Sequence, residues 1–349
     1  MKFSEAILDA TKTVLRQEEK SIVFGLGVTD PKSIFGTTTG LVKEFGPDRI
    51  FDMPLSENAM TGVGIGLALQ NYKVLFIHQR LDFFLLAMDQ LVNNAAKWHM
   101  MFGGVNAVPI TIRLIIGRGW GQGPTHSQAL QSWFAHIPGL KVVMPSNPDD
   151  AKGLLIESIL DPNPVIFLEH RWLHNMEGKV TEGWHNVPIG KATVVSQGKD
   201  ISLIASSLMV VEALHAASFL KKYYDISAEV VDLRSLRPLD WECIKGSVSK
   251  TKRVIALDIG HKTGSVSGEI IAGIAMHFGN QLKSKPQRIG LPDLATPTSV
   301  GATKNYYPDA VSICDAVAIS LDLDIDTTRL IELRSEHHDI PGDWFKGPF

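Results

Sequence analysis

The chain has 349 residues, 44% of them apolar and 20% charged, with a net charge of -3. That length supports two domains, the composition is that of an ordinary soluble globular protein, and the near-neutral balance offers no broad basic surface, which argues against a nucleic-acid partner. The two cysteines, Cys243 and Cys314, support neither a disulfide scaffold nor a thiolate metal site, and no apolar run reaches the roughly 20 residues of a membrane span, so a cytoplasmic protein is expected.

The N-terminus begins like an amphipathic helix and not like a signal peptide. Ser21-Ile22-Val23-Phe24-Gly25 and Val74-Leu75-Phe76-Ile77 are short apolar runs that predict buried parallel strands. Between them an apolar strand breaks at Pro54, and a small-residue helix follows Glu57. Helical periodicity runs from Leu85 to Met101. Further strands are predicted at Pro109–Leu114, Lys141–Met144 and Val165–Glu169, with a helix from Asn147 to about Leu160 that opens on Pro148, Asp149 and Asp150. From His170 to about Gly190 the pattern is lost. A second alternation then begins, with strands at Ile201–Ala205, Ala228–Leu233 and Arg253–Leu257 and helices at Met209–Tyr223 and Ser267–His277. The expected fold is α/β, two doubly wound domains with mostly parallel sheets: residues 1–185, residues 186–325, and a tail over 326–349. That tail is non-periodic at its end and holds His337, His338 and several aromatics.

Glu57 is the most informative residue. A carboxylate at a strand–helix junction is partly desolvated, which raises its pKa and suits it to exchange a proton with a ring nitrogen. A surface Glu at a helix N-terminus accounts for the same segment. Gly62-x-Gly64-x-Gly66 does not fit a dinucleotide fingerprint, because position 67 is Leu; close approach of a neighbouring helix or a flat ligand fits better. Alternating glycines from Gly117 to Gly123 make a mobile loop that delivers His126 at the carboxyl end of a strand, where α/β sheets bind ligands. A structural histidine is the alternative. His170 and His174 lack the setting of a metal motif. The turn Asp161-Pro162-Asn163-Pro164 could ligate a hard cation through oxygen, or simply stop a helix.

These residues, taken in order, resemble a known family. Phe45-Gly46-x-x-Arg49-Ile50, Pro54-Leu55-Ser56-Glu57, Asp89-Gln90-Leu91-Val92-Asn93-Asn94-Ala95-Ala96-Lys97, His126-Ser127-Gln128, Pro138-Gly139-Leu140-Lys141-Val142-Val143 and Arg234-x-x-Arg237-Pro238 look like the beta subunit of thiamine-diphosphate-dependent 2-oxoacid dehydrogenases. The pyrimidine-binding and C-terminal domains of transketolase are more distant relatives. The likeness covers residues ~1–325.

The resemblance implies roles. Glu57 matches the Glu that hydrogen-bonds N1′ of the thiamine aminopyrimidine and favours its imino tautomer, whose 4′-nitrogen takes the C2 proton of the thiazolium. Leu55 lies in the same cofactor pocket, and Phe83 matches the aromatic that stacks on the pyrimidine. His126 matches a histidine that assists acyl transfer to lipoamide. Ile110, Ser158, Ile159, Asp161 and Asn163 match a structural potassium site. The chain has no motif for a Mg-diphosphate, which in this family sits on a separate alpha subunit. The resemblance therefore implies half an enzyme: a heterotetramer of two alpha and two beta chains, with beta–beta contacts and docking to a lipoyl acyltransferase core.

Two departures stand out. Gly25-Leu26-Gly27 replaces Gly-Glu-acid, which removes a proton-carrying side chain. The segment Ile77-His78-Gln79-Arg80-Leu81-Asp82-Phe83 brings new charge to the pyrimidine pocket, readable as a rearranged Arg80–Asp82 ion pair or as a pocket for a polar or anionic substrate. A split transketolase-like or acyloin-forming transferase is accordingly the alternative activity. A cofactor-free scaffold is disfavoured, since it has no need of Glu57, Phe83 and His126 together.

Overall fold

The computed structural model describes residues 1–31, 33–117 and 121–333. The expected loop residues 118–120 and most of the expected tail lie outside that range. Among the described residues the chain divides into two compact units, one of residues 1–117 and 125–189 and the other of residues 121–124 and 190–333.

The first unit opens with α1 (Phe3–Gln17), which buries Phe3, Ile7, Ala10 and Val14 at helical spacing and packs on a later helix, α7. Each such side chain contributes about 1.5–3 kcal/mol by leaving water. Next come β1 (Ser21–Gly25), α2 (Leu41–Phe45), β2 (Ile50–Asp52), α3 (Glu57–Leu69), β3 (Lys73–His78) and α4 (Leu81–Phe84). Then follow α5 (Trp98–Met101), β4 (Ile110–Ile116), α6 (Gln131–His136), β5 (Lys141–Val143), α7 (Pro148–Leu160) and β6 (Val165–His170). These six strands run in the order β5-β6-β4-β3-β1-β2, and every pairing among them is parallel. β1, β4 and β6 are buried along their whole length, as a sheet covered on both faces requires.

The predicted helix from Leu85 to Met101 is real but irregular. It is a 3-10 turn at Leu85–Ala87, a π turn at Gln90–Ala95, and only then α5. Asn93 and Asn94 each donate to a side chain four residues back, Asp89 and Gln90, along this widened turn. α7 starts as predicted: Asn147 caps it by accepting from the Asp150 amide, and Pro148 stands at its first position.

The second unit holds β7 (Thr193–Ser196), β8 (Ile201–Ala205), α8 (Leu208–Tyr224), β9 (Ala228–Asp232), β10 (Ser235–Arg237), α9 (Trp241–Thr251) and β11 (Val254–His261). α10 (Val266–Phe278), β12 (Gln287–Leu291), α11 (Val300–Thr303), α12 (Ala310–Leu321) and α13 (Thr328–Glu332) complete it. Its five-stranded sheet runs β12-β11-β8-β9-β7, parallel except for β7 against β9. Cys243 and Cys314 are both free thiols. Among the described residues no helix is long and apolar enough to cross a membrane.

Candidate active site

All strands of the first unit's sheet point the same way, so their carboxyl ends share one edge. β2 leads there to Glu57, β3 to Phe83, β4 to the loop carrying His126, and β6 to His170–His174. Parallel sheets place ligands at this edge.

Glu57 is the first residue of α3 and only 7% exposed. Its backbone carbonyl accepts from the Thr61 hydroxyl at 2.7 Å. The Ser56 side chain before it makes no capping bond to the helix. Glu57 stands in the first turn of α3, where a carboxylate is favourable at a helix N-terminus, and it does so at a buried junction. β2 is fixed just before it, because Asp52 accepts from the Val28 amide at 2.8 Å and from the Thr29 hydroxyl. α3 can lie close to the sheet because Gly64 has no side chain: a Cβ there would sit 2.9 Å from Ile110 Cδ1 and 3.2 Å from Phe24 Cζ. Leu55, in the preceding turn, is 80% exposed.

Phe83 and His126 meet directly. Their ring centroids lie 5.2 Å apart with planes at 88°, an edge-to-face pair. Two bonds bring the His126 loop in: Asp82 Oδ1 accepts from Gln128 Nε2 at 2.8 Å and from the Gln128 amide at 3.4 Å. Ser127 and Ala129 are buried and anchor the same stretch. His126 Nδ1 pairs with Thr125 Oγ1 at 3.1 Å. Behind it, β4 is followed by Gly117 with φ +83°, where any Cβ would collide with the His170 ring.

Leu26 is half-buried at the end of β1, and its carbonyl accepts from Gln79 Nε2 at 3.3 Å. The apolar substitution therefore abuts the altered Ile77–Phe83 segment. In that segment His78 is wholly buried between Phe76 and Phe84, with centroids at 4.3 and 4.9 Å, and neither ring nitrogen has a hydrogen-bond partner. Burial pushes its pKa down to about 3, so it is a neutral core ring. Arg80 is also buried; burial, then Arg171, bring it down to about 10, against the opposing charge of Asp82.

Sequence reasoning missed a buried charge network beneath this edge. Arg113 Nε donates to Glu169 Oε1 at 2.9 Å and its Nη2 donates to the Thr37 hydroxyl, all three residues wholly buried. Glu169 Oε2 lies 3.7 Å from His174 Nε2. Burial pushes the Glu169 carboxyl upward, but the charge of Arg113, with His174 close by, outweighs it and holds the carboxyl below its usual range. An arginine inside the apolar run Ile110–Ile116 was the available signal. His170 accepts from the Trp172 amide at 3.2 Å, and among the described residues no three His, Cys, Asp or Glu side chains form a metal set.

The five residues matched to a potassium site stand at the opposite, amino edge of the sheet, around the start of β4 and the turn before β6. Asp161 is already engaged there: Oδ2 pairs with the Lys141 ammonium and Oδ1 accepts from the Asn163 amide at 2.9 Å. Lys73 Nζ donates to the Leu160 carbonyl at 3.0 Å.

The carboxyl edge carries a buried acid, Glu57, and an aromatic ring in contact with an imidazole, Phe83 and His126. Residues 1–176 match the pyrimidine-binding domain of transketolase, and residues 190–313 match the transketolase C-terminal domain. The chain is 40% identical over 301 residues to the acetoin:2,6-dichlorophenolindophenol oxidoreductase subunit beta of Cupriavidus necator, spanning 85% of this chain and 88% of that protein. It is 39% identical over 300 residues to the pyruvate dehydrogenase E1 component subunit beta of Bacillus subtilis, spanning 86% and 92%. A solved split-gene transketolase, described as an inactive beta4 tetramer, superposes with a TM-score of 0.74 at 20% identity over 93% of this chain and 99% of that one, a likeness of fold.

Proposed function

The chain belongs to the transketolase-like family of beta subunits that includes those of pyruvate dehydrogenase and acetoin oxidoreductase, and from that premise we propose that it is the beta subunit of a thiamine-diphosphate-dependent 2-oxoacid dehydrogenase. The observation that carries the proposal is the Glu57 side chain, buried at the carboxyl edge in the first turn of α3.

When bound, thiamine diphosphate supplies a nucleophilic ring carbon and an electron sink. Glu57 would hold or pass the proton at the aminopyrimidine N1′ as a general acid–base group. Phe83 offers its ring face to the pyrimidine while its edge-to-face contact keeps His126 beside it. His126 stands at the acyl-acceptor side and moves the proton of the accepting group. Leu55 lies in the same turn as Glu57 and offers an exposed apolar side chain beside it.

The partners follow from surface and chemistry. Val63, Leu86, Met100, Met101, Phe102 and Val105 are exposed apolar residues along α3 to α5 and the turn after it, and α3 packs on the Leu85–Ala95 turns. Exposed apolar surface of this kind marks an interaction face. We assign it to an alpha subunit that carries the Mg-diphosphate site, in a heterotetramer whose beta chains also pair, with a lipoyl acyltransferase as acceptor. A potassium ion in the turn after α7 would rest on the carbonyls of Ile110, Ser158, Ile159 and Asn163, because the Asp161 charge is already met by Lys141. An acyloin-forming or acyloin-cleaving activity is the second reading; Leu26 and the first relative's name favour it.

Copurification of the native partner, followed by a screen of 2-oxoacids for CO2 release, tests the proposal. Thiamine-dependent CO2 release with one or more of them supports it. Release from none, with acetoin cleaved instead, would favour the second reading.

A further inference from the structure

A cavity of about 710 Å³ opens in the second unit along β12, the edge strand of the five-stranded sheet. The turn after α11, the outer face of α12 and Ile331 of α13 complete its lining. Its size falls within the roughly 300–1,000 Å³ of small-molecule sites. Lys262 follows β11 and Pro292 follows β12, so the cavity reaches the carboxyl edge of this parallel pair, where α/β sheets bind ligands. Neither Glu57, Phe83 nor His126 lines it.

The charges in the lining do not cancel. Lys262, Arg288 and Lys304 bring three positive charges, and among the described residues none of the three sits in an ion pair. Asp309 serves α12, where it accepts from the Ser312 amide at 3.0 Å in a capping box. Burial, then Asp309, push the Asp315 carboxyl up against a bond from Thr327, and none of the three cations offsets them. Arg288 is held in place: its Nη1 donates to the Lys262 carbonyl at 2.9 Å, and a Cβ on Gly268, in the first turn of α10, would stand 3.0 Å from the same atom. A guanidinium carries five N–H donors in a rigid fork, so a fixed Arg288 keeps donors for an incoming oxygen.

The rest of the lining is aromatic and apolar. Tyr306 is buried, its hydroxyl donates to the Leu294 carbonyl at 2.8 Å, and its ring stands edge-to-face with Tyr307 at 4.9 Å. Ile319 and Ile331 are 73% and 55% exposed although they line a hollow. Apolar side chains left wet on a concave surface are stabilised by covering them with the apolar body of a ligand.

We infer that this cavity binds a nucleotide-sized organic phosphate, with the phosphate drawn to Arg288, Lys262 and Lys304 and a flat or apolar body laid against Tyr307, Ile319 and Ile331. A phosphate suits three unpaired cations better than a single carboxylate does, since it carries close to two charges and three strong acceptor oxygens. The site lies outside the coenzyme chemistry proposed above and makes no use of it.

The test is titration calorimetry of the full-length chain with adenosine monophosphate, adenosine and inorganic phosphate. The native chain should bind the monophosphate more tightly than either fragment. Lys262 and Lys304 are exposed, so the double variant Lys262→Gln/Lys304→Gln should unfold at the native temperature and bind the monophosphate about tenfold more weakly. Ile319→Asp, which sets a carboxylate in the apolar wall, should weaken it as well. Lys283→Gln, which removes an exposed cation outside the lining, should leave the affinity unchanged. No binding of the monophosphate, equal affinity in the native chain and the lining variants, or an equal loss in Lys283→Gln would overturn the site. Inorganic phosphate bound as tightly as the nucleotide would overturn the organic occupant.

Discussion

At Glu57, His126 and His78 the chain puts three ionisable side chains in three different surroundings, and their roles diverge accordingly. His126 is half-exposed, edge-on to Phe83, and held by a loop that Asp82 pins through Gln128. His126→Ala should spare decarboxylation assayed with an artificial oxidant and impair transfer to the natural acceptor, roughly a hundredfold or more for a lost general acid–base group. If both rates stay at native values, His126 is only structural. His78 is a core ring with a pKa near 3, well below its unfolded value of about 6.5. The unfolded chain therefore binds a proton that the folded chain refuses. This group costs no stability above pH ~6.5, and stability falls as pH drops from ~6.5 toward ~3, by up to about 1.4 kcal/mol per unit. His78→Phe, which keeps a ring between Phe76 and Phe84, should flatten that slope, as denaturant unfolding at pH 7 and pH 5 would show. An unchanged slope would mean His78 is protonated in the fold.

At the level of strands and helices, β4 and β6 are joined by more than their ladder. The Arg113–Glu169 pair ties them beneath the edge where the site forms. Glu169→Gln leaves Arg113 buried without a full counter-charge and should destabilise by about 3–5 kcal/mol, read as a lowered denaturant midpoint. A loss under 1 kcal/mol would show that the buried charge is relieved in another way. Much at this scale was legible in the sequence. Apolar runs of four to six residues gave β1, β3, β4 and β6, and Asn147-Pro148 gave the start of α7, because burial on both faces and helix capping leave local signatures. The contact of Phe83 with His126 was not read: the resemblance gave each a role, and no spacing rule links residues 83 and 126. β7, β12, α9 and α12 were not read; β7 and β12 are half-exposed strands.

For the molecule as a whole, the proposal makes this chain one side of a shared site. It supplies the proton-handling acid and the aromatic face, and leaves the diphosphate to a partner. The isolated chain should then bind thiamine diphosphate weakly, and tightly once the alpha subunit is added; tight binding by titration calorimetry without a partner would contradict the division. The most direct test of the central claim is Glu57→Gln in the reconstituted complex, measuring 2-oxoacid turnover beside thermal unfolding. A role for Glu57 in proton exchange with the coenzyme predicts a rate lower by a factor on the order of a thousand with the unfolding midpoint unchanged. Native-like turnover in that variant would contradict it.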